Sequence, residues 1–566
     1  MEIKEVKTWL DNQRKTRHSE RIKQRELDLK FFKDEYNIPL IKDKKYQVRT
    51  GFVANMVNGV TQQLVSNTPR VFTKEKSKGA KEASERIASV SNRELRKLAR
   101  YPDNPIEQSF KRNLFGDAWI YVPHMPEIAK AEYDWRESNP DLIPVHFILY
   151  DPMVVFAEPS EEINGIPKRV GVYYQRLISD IQATYPHWEG KRPYGDQDKV
   201  SFLLYFEKDF SYAEADEEPL FLNMKKKYLN GDGKRDNPYG FVPFAHSYSG
   251  WGISTESLEP DLLAFSRIRM LREKLVNKST MDSDFKRNIH ETAWKHRVVT
   301  LPQGTEYNVE KAFENYSSDP DAISVVEIPP SGKFEVEETR VFDAAVFAYW
   351  DRKGAELLSD YPLAMQGATV GGSGRHQDIA RESGLEFYDC CIQNTGHLWA
   401  TALDMAFRIC EKLDILPNGL KEGDSQSYTD LTVDLVKQSP QELSRRSAEG
   451  DQKFLQGIIS LKDNLIEYQG KTLEEAEMIE ARKIADEVKR NHPFFREMIA
   501  KMVAEEHGLG EEFAQYMQSM TGQGANPTVE RGKEGGEPAL NNIKTPLGGE
   551  MAGMGRHESR LPARTR

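Results

Sequence analysis

At 566 residues the chain is longer than one hydrophobic core usually supports, so at least three structural regions are expected. Its 78 Lys and Arg against 89 Asp and Glu give a formal net charge of -11, which excludes a protein that wraps nucleic acid by bulk positive charge; an acidic chain that handles DNA must guide it or let it slide. Three cysteines on one helical stretch (Cys390, Cys391, Cys410) support neither a disulfide framework nor a Cys-based zinc site, and with no signal-peptide core and no run of about 18 apolar residues, a soluble, unprocessed chain in a reducing compartment is expected.

Residues 1–50 carry a basic helical pattern, RKTRHSERIKQRELDLKFFKDEY, which stops near Asn37, Ile38 and Pro39 and is expected to be solvated. Next, Phe52, Met56, Val60 and Leu64 recur every four residues, predicting a helix with one core-facing stripe that Asn67 and Pro69 end. A charged helix follows over about 78–100. Gly116 and Asp117 then form the turn from a helix end into a strand at Trp119, Ile120 and Tyr121. The runs VHFILYDPMVVFAEP, RVGVYYQRL, VSFLLYFEKDF and EPLFLNMKKKYL, separated by Pro, Gly, Asn and Asp clusters, predict an antiparallel sheet, with NGDGKRDNPYG as its longest turn.

From Ser257 the pattern becomes helical, with Leu258, Leu262, Phe265, Ile268, Leu271 and Leu275 on one face and an end near Asp284. A small α/β insert spans about 288–340: strand-like HRVVTLP, a short helix around VEKAFENY, then strand-like ISVVEIPP and GKFEVEE. A second helix runs over about Val341–Tyr361. The glycine-rich loop PLAMQGATVGGSGR follows, for which mobility is expected. A helical stretch over about Gln377–Leu413, with Gly384 and Gly396 as candidate bends, leads to a charged helical region from about 438 to 518. The last residues have the composition of a disordered tail.

Tempting catalytic motifs fail on geometry. GATVGGSG, Gly367 to Gly374, has phosphate-loop glycines without the Lys and Ser/Thr that reach phosphates and metal. HETAWKH sets His290 and His296 six residues apart, where two zinc-binding imidazoles on one helical face need four. NGDGKRDN lacks the bidentate acid of a calcium loop, and Asp282 with Asp284 reads as the charged end of a helix. No catalytic, cofactor-binding or metal-ligating residue is assigned, and no cofactor or membrane contact is expected.

The order helix, α/β insert, helix, glycine-rich loop, long helix resembles the portal family of tailed bacteriophages and herpesviruses. So does GIISLKDNLIEYQGKTLEEAEMIEARKIADE at 457–487, which is similar to that family's Gly-Ile-Ser turn, amphipathic stretch, glycine and Glu-rich helix. The segments NMVNGVTQQLVSNTP and FKRNLFGDAWIYV resemble its wing helices and the turn into its wing sheet, and the likeness covers about residues 40–500. The departure is at the loop's end, where Ser373 and Gly374 lead into Arg375, His376 and Gln377 instead of the family's SG-x-A-L helix start.

The resemblance implies an α+β, mostly helical subunit: wing 1–256, first stem helix 257–287, clip 288–340, second stem helix 341–361, tunnel loop 362–376, long bent wing helix 377–414, helical crown region 415–518 and disordered tail 519–566. It further implies a closed ring, typically a dodecamer, at one capsid vertex of the virion, assembled in the host cytoplasm. The ring would conduct double-stranded viral DNA during packaging and ejection. Its partners would be the large terminase subunit, the major capsid or scaffold protein, and neck or tail adaptor proteins. The implied channel-facing residues are Gly367, Thr369, Gly371, Gly372, Ser373, Gly374, Arg375 and His376; the implied terminase and neck contacts are Tyr307, Lys311, Glu314, Asn315 and Tyr316. Arg375 and His376 either guide the DNA backbone or are solvated or paired with Asp378 and Glu382. Two other readings stand beside this one: a head or tail ring protein that conducts no DNA and lacks such an insert, and a metal-dependent DNA-processing enzyme, which requires buried convergent carboxylates.

Overall fold

The computed structural model describes residues 2–39, 44–124, 142–185, 188, 195, 197–220, 229–230, 233–293, 296–300, 306, 308, 330, 332–337, 343–358, 374–437, 440–471 and 473–491. The protein is α+β, with more helix than strand and several small antiparallel sheets. It divides into two compact units, Met1–Ala481 and Arg482–Arg566; of the second, residues 482–491 are described.

Helices α1 (Ile3–Asn12) and α2 (Ser19–Phe32) are joined by a π-helical turn at Gln13–Arg17. Gln13, Arg17, Arg21 and Arg25 repeat every fourth residue and share one stripe. The expectation of a solvated helix is wrong: Arg21, Arg25 and Asp28 are 5%, 6% and 2% exposed, because that stripe meets the start of a strand carrying a buried carboxylate.

Helix α3 (Phe52–Leu64) buries Met56, Val60 and Leu64 as the spacing requires. It passes straight into strand β1 (Val65–Glu75), so Asn67 and Pro69 lie inside a strand instead of ending a helix in a loop. Pro69 is tolerated because β1 pairs along a single edge, with β16 (Tyr428–Val436), and the register shifts between Val65 and Arg70. Helices α4 (Lys81–Leu98) and α5 (Pro105–Leu114) follow, the latter capped by the Asn104 side chain, which accepts from the Glu107 N–H. Gly116 turns the chain at φ +121°, and a Cβ there would stand 2.3 Å from the Ala264 carbonyl oxygen. Gly116→Ala is therefore expected to cost about 1–3 kcal/mol in chemical denaturation; an unchanged midpoint would show that this crossing yields.

Strand β2 (Asp117–Tyr121) lies between β13 (Phe244–Tyr248) and β3 (Ile148–Tyr150). The sheet beside it comprises β4 (Val155–Phe156), β7 (Arg169–Leu177), β8 (Lys199–Glu207), β9 (Phe210–Ala215), β10 (Glu218–Pro219), β11 (Leu229–Asn230) and β12 (Lys234–Asp236); a small hairpin pairs β5 (Glu162–Ile163) with β6 (Ile166–Pro167). The run FLLYF, residues 202–206, is apolar without a break because β8 is covered on both faces. Phe202, Leu204 and Phe206 join the main core, while Leu203 and Tyr205 pack with Val6 and Leu10 of α1. A short helix, α6 (Ile178–Thr184), caps β7.

The helix expected from Ser257 begins later. Leu258 sits at φ +48°, Pro260 opens a single turn ending at Leu263, and the long helix α7 spans Arg267–Ala293, with the Ser266 hydroxyl accepting from the Arg269 N–H at its start. Leu258, Leu262 and Phe265 are thus off the helix and half-buried, whereas Ile268, Leu271 and Leu275 are in the core. The end near Asp284 is also corrected, because α7 runs nine residues further, held by contacts with the next helix. In the insert, β14 (His296–Thr300) and β15 (Lys333–Glu337) pair antiparallel, as HRVVTLP and GKFEVEE imply. The expected helix at VEKAFENY and strand at ISVVEIPP lie outside the described residues.

Helix α8 (Ala344–Leu358) is followed, after residues 359–373, by α9 (Gly374–Leu413), 40 residues long and unbroken at Gly384 and Gly396. Gly396 serves close approach: a Cβ there would lie 2.4 Å from the Val433 carbonyl oxygen. That oxygen belongs to β16 (Tyr428–Val436), a strand inside the region expected to be helical from 415; it forms because β1 offers it an edge. Helices α10 (Pro440–Leu455) and α11 (Leu473–Asn491) complete the described chain. The expected tail at 519–566 lies outside it.

Candidate functional site

Helices α7 and α8 form an antiparallel hairpin. Lys278 lies beside Gly354, Asp282 accepts a 2.6 Å hydrogen bond from Trp350 Nε1, and the Phe285 and Phe347 rings are 5.1 Å apart, so each step up one helix matches a step down the other. The contact residues repeat at threes and fours, as in a coiled-coil seam: Leu275, Lys278, Asp282 and Phe285 against Leu357, Gly354, Trp350 and Phe347. Lys278 pairs with Asp282 and places its Nζ 4.3 Å from the Trp350 ring centre. Asp282 is thereby committed, and Asp284, two residues on, points to another side of the helix, so the pair does not converge on a metal. Among the described residues no group of three or more His, Cys, Asp or Glu could hold a metal ion.

The other side of α7 is tied down by Tyr36, Lys45, Tyr46 and Val48. Tyr36 Oη lies 2.5 Å from Ser279 Oγ, the Val48 N–H donates to Ser283 Oγ at 2.9 Å, and Lys286 Nζ donates to the Lys45 carbonyl at 2.8 Å. His290 lies 5.5 Å from the Tyr46 ring, and His296 belongs to β14, so the two histidines of HETAWKH are divided between a helix and a strand.

By contrast, among the described residues α8 packs chiefly on α7; Leu357 reaches the core, and most of its other side chains are exposed. Phe347 and Tyr349 are 47% and 52% exposed, and Ile289 across the seam is 67% exposed. Asp282, Phe285, Lys286, Ile289, Phe347 and Trp350 line an open groove of about 410 Å³. The hairpin is also basic within an acidic protein, with seven Lys and Arg against four Asp and Glu on α7 and two against two on α8. Neither the aromatic edge nor its groove was singled out from the sequence; the signal was present in VFAYW, where apolar residues cover more of a helix than one seam requires.

Of the residues expected to face a channel, Gly367, Thr369, Gly371, Gly372 and Ser373 lie outside the described residues. Gly374, Arg375 and His376 form the first turn of α9, a correction to the loop boundary at 376. Tyr307, Lys311, Glu314, Asn315 and Tyr316 also lie outside the described residues.

The hairpin's base rests on a second polar construction that fixes α2 to the sheets. Asp117 receives Arg21 at 2.6 Å, Arg25 at 2.8 Å and Trp119 Nε1 at 3.1 Å. Asp28 pairs with Arg272 of α7 at 2.7 Å. Burial would raise the Asp117 carboxyl, but Arg21, His246 and Arg25 outweigh it and hold it well below the usual carboxylate range. His246 stacks on Trp119 at 3.8 Å, with Nδ1 2.8 Å from Glu162 and Nε2 3.6 Å from Asp117, an ion-pair separation instead of a hydrogen bond. Burial opposes its charge, yet Glu162 and Asp117 prevail and raise its pKa. His18, buried against the Ala157 carbonyl, is shifted the other way by burial and by Arg21.

These two histidines give stability opposite pH dependences. The His246 contribution is complete below about pH 6.5 and is lost as pH rises through its elevated folded value; the His18 contribution is present above about pH 6.5 and is lost as pH falls through its lowered value. Melting temperature is therefore expected to fall on the alkaline side of pH 6.5 in the wild type and to flatten there in His246→Asn. An identical alkaline slope in that variant would rule His246 out as its source.

No protein-family model matches the chain, and comparison with curated proteins gave no match.

Proposed function

We propose that this chain is a portal subunit, the head-to-tail connector of a tailed bacteriophage, which closes into a ring of typically twelve copies and conducts double-stranded viral DNA. The observation that carries this reading is the antiparallel α7–α8 hairpin interrupted by an insert whose flanking strands pair, followed after residues 359–373 by the 40-residue α9. Under it α7 and α8 are the stem, residues 288–340 the clip that meets the large terminase subunit and later the neck or tail adaptors, and the segment before α9 the tunnel loop. The wing is built on the sheets and on α9, and the region from 415 supplies β16 to the wing before its crown helices.

Physical features of the hairpin support this assignment. A helix resting on one neighbour with two aromatics open to water calls for another partner, and the same edge repeated head to tail closes a ring when the rotation allows. A basic excess on the hairpin suits a conduit: it attracts phosphate locally, while the net charge of -11 on the whole chain limits retention of the duplex. The reading assigns no catalysis. Negative-stain electron microscopy of the purified protein, with its solution mass, tests it. Rings with a central hole about 20 Å or wider, the width of duplex DNA, are expected; a monodisperse monomer at high concentration, with capsid proteins also failing to induce rings, would remove the reading.

A further inference from the structure

Far along the fold from the hairpin, β1, α4 and the turn that ends the 464–468 π helix enclose a cavity of about 80 Å³ lined by Arg70, Asn92, Arg96, Ile466, Gly470 and Lys471 among others. At roughly 30 Å³ per water, it has room for two or three waters or one small oxyanion. Arg70 Nη1 and Arg96 Nε are buried and donate to no protein group, and no carboxylate among the described residues comes within 4 Å of either guanidinium. Each of these half-buried guanidiniums thus carries one buried N–H without an acceptor, which is costly, and because both arginines line one cavity the pair points to an acceptor that the protein does not itself supply.

The surrounding charges favour an anion. Burial, Arg446 and Arg96 depress the Arg70 pKa, Asp434 alone opposing them. Glu85 also lines the cavity, but its charge is committed to Lys462 at 3.3 Å and Lys81 at 3.8 Å, and the Asn92 amide is engaged with the Val71 backbone on both sides. The turn is shaped for the same purpose: Gly470 sits at φ +68°, and a Cβ there would stand 2.2 Å from Arg70 Nη2, so only glycine lets the guanidinium lie over this backbone.

We propose that Arg70 and Arg96, with Lys471 at the mouth, bind a tetrahedral oxyanion of the phosphate class, using fork-like guanidinium donors that suit its oxygens. This site is independent of the portal reading. The source is either a free phosphate ion or a phosphodiester of DNA.

The test uses the full chain in phosphate-free buffer at constant ionic strength. Inorganic phosphate, or in a second arm a short DNA duplex, is titrated against melting temperature and binding heat, with chloride as the control. A phosphate-dependent rise absent with chloride is expected, with affinity falling at least tenfold in Arg96→Gln and several-fold in the exposed Lys471→Gln, which serves if Arg96→Gln does not fold. A response to phosphate identifies the free ion; a response to duplex alone, lost in the same variants, identifies the DNA backbone. No response to either, or responses unchanged in both variants, overturns the proposal.

Discussion

Asp117→Ala is expected to lower stability by about 3–5 kcal/mol, because removing one member of a buried ion cluster leaves the others charged in a medium that solvates them poorly. Arg21 and Arg25, 5% and 6% exposed, would lose their shared counter-ion, and Trp119 Nε1 and His246 would lose a partner in the same step. The wild-type carboxyl is depressed by Arg21, His246 and Arg25 against burial, so its contribution is present above the ordinary carboxylate range and disappears as pH falls through the lowered value. Urea denaturation near pH 7 measures the loss. A change below 1 kcal/mol would mean that the arginines find water or other acceptors when the carboxylate is gone. A companion double variant, Arg21→Met with Asp117→Ala, should still be less stable than the wild type, since buried Arg25 would keep only the exposed Asp151 at 3.9 Å and long contacts to the backbone carbonyls of residues 115 and 117.

Under the proposed portal reading, Phe347→Asp combined with Tyr349→Asp is expected to abolish ring assembly with a smaller effect on the monomer's melting temperature. Both side chains are about half exposed in the single chain; Phe347 packs on Phe285 across the seam, so the melt falls by a few degrees, while the exposed halves are what a neighbouring subunit would cover. An aromatic anchor at the centre of an interface contributes about 2–4 kcal/mol, roughly a 30- to 1000-fold change in pairwise association, and a closed ring carries that loss at every interface. Analytical ultracentrifugation read beside the thermal melt distinguishes the effects. Rings persisting in the double variant would place the subunit contact elsewhere; a collapse of the melt would show instead that these rings support the hairpin itself.

Much of the local structure was legible in the sequence because it follows from short-range periodicity. The stripe Met56, Val60, Leu64 satisfies a helical period and the run RVGVYYQRL has the β-branched and aromatic composition of a strand, and α3 and β7 appear where those signals place them. The boundaries that shifted are those set by distant groups. Leu258 and Leu262 keep a helical spacing but are cut off by Pro260 and by Ser266, whose hydroxyl caps α7 and donates to Asp28 of α2, 238 residues away. The strand β16 is a different case: Leu431, Val433 and Leu435 alternate with Thr432 and Asp434, a period-2 signal that the helical expectation for this region passed over, and β1 supplies the edge it pairs with.

The candidate site divides in the same way. Sequence by itself determined that two helices flank an insert, that a glycine-rich segment precedes a long helix, and that the motif glycines and histidines lack the partners catalysis requires. Each of these depends on which residues lie within a few positions of one another. Only the tertiary structure decided that Asp282 is occupied by Trp350 and Lys278, that Phe347 and Tyr349 stay open, that the basic stripe of α2 is buried around Asp117, and that Arg70 and Arg96 share one cavity. A charge or an aromatic ring has the same local pattern whether solvated or buried. Its role depends on the neighbour it meets in space, and a single linear sequence carries that information only weakly.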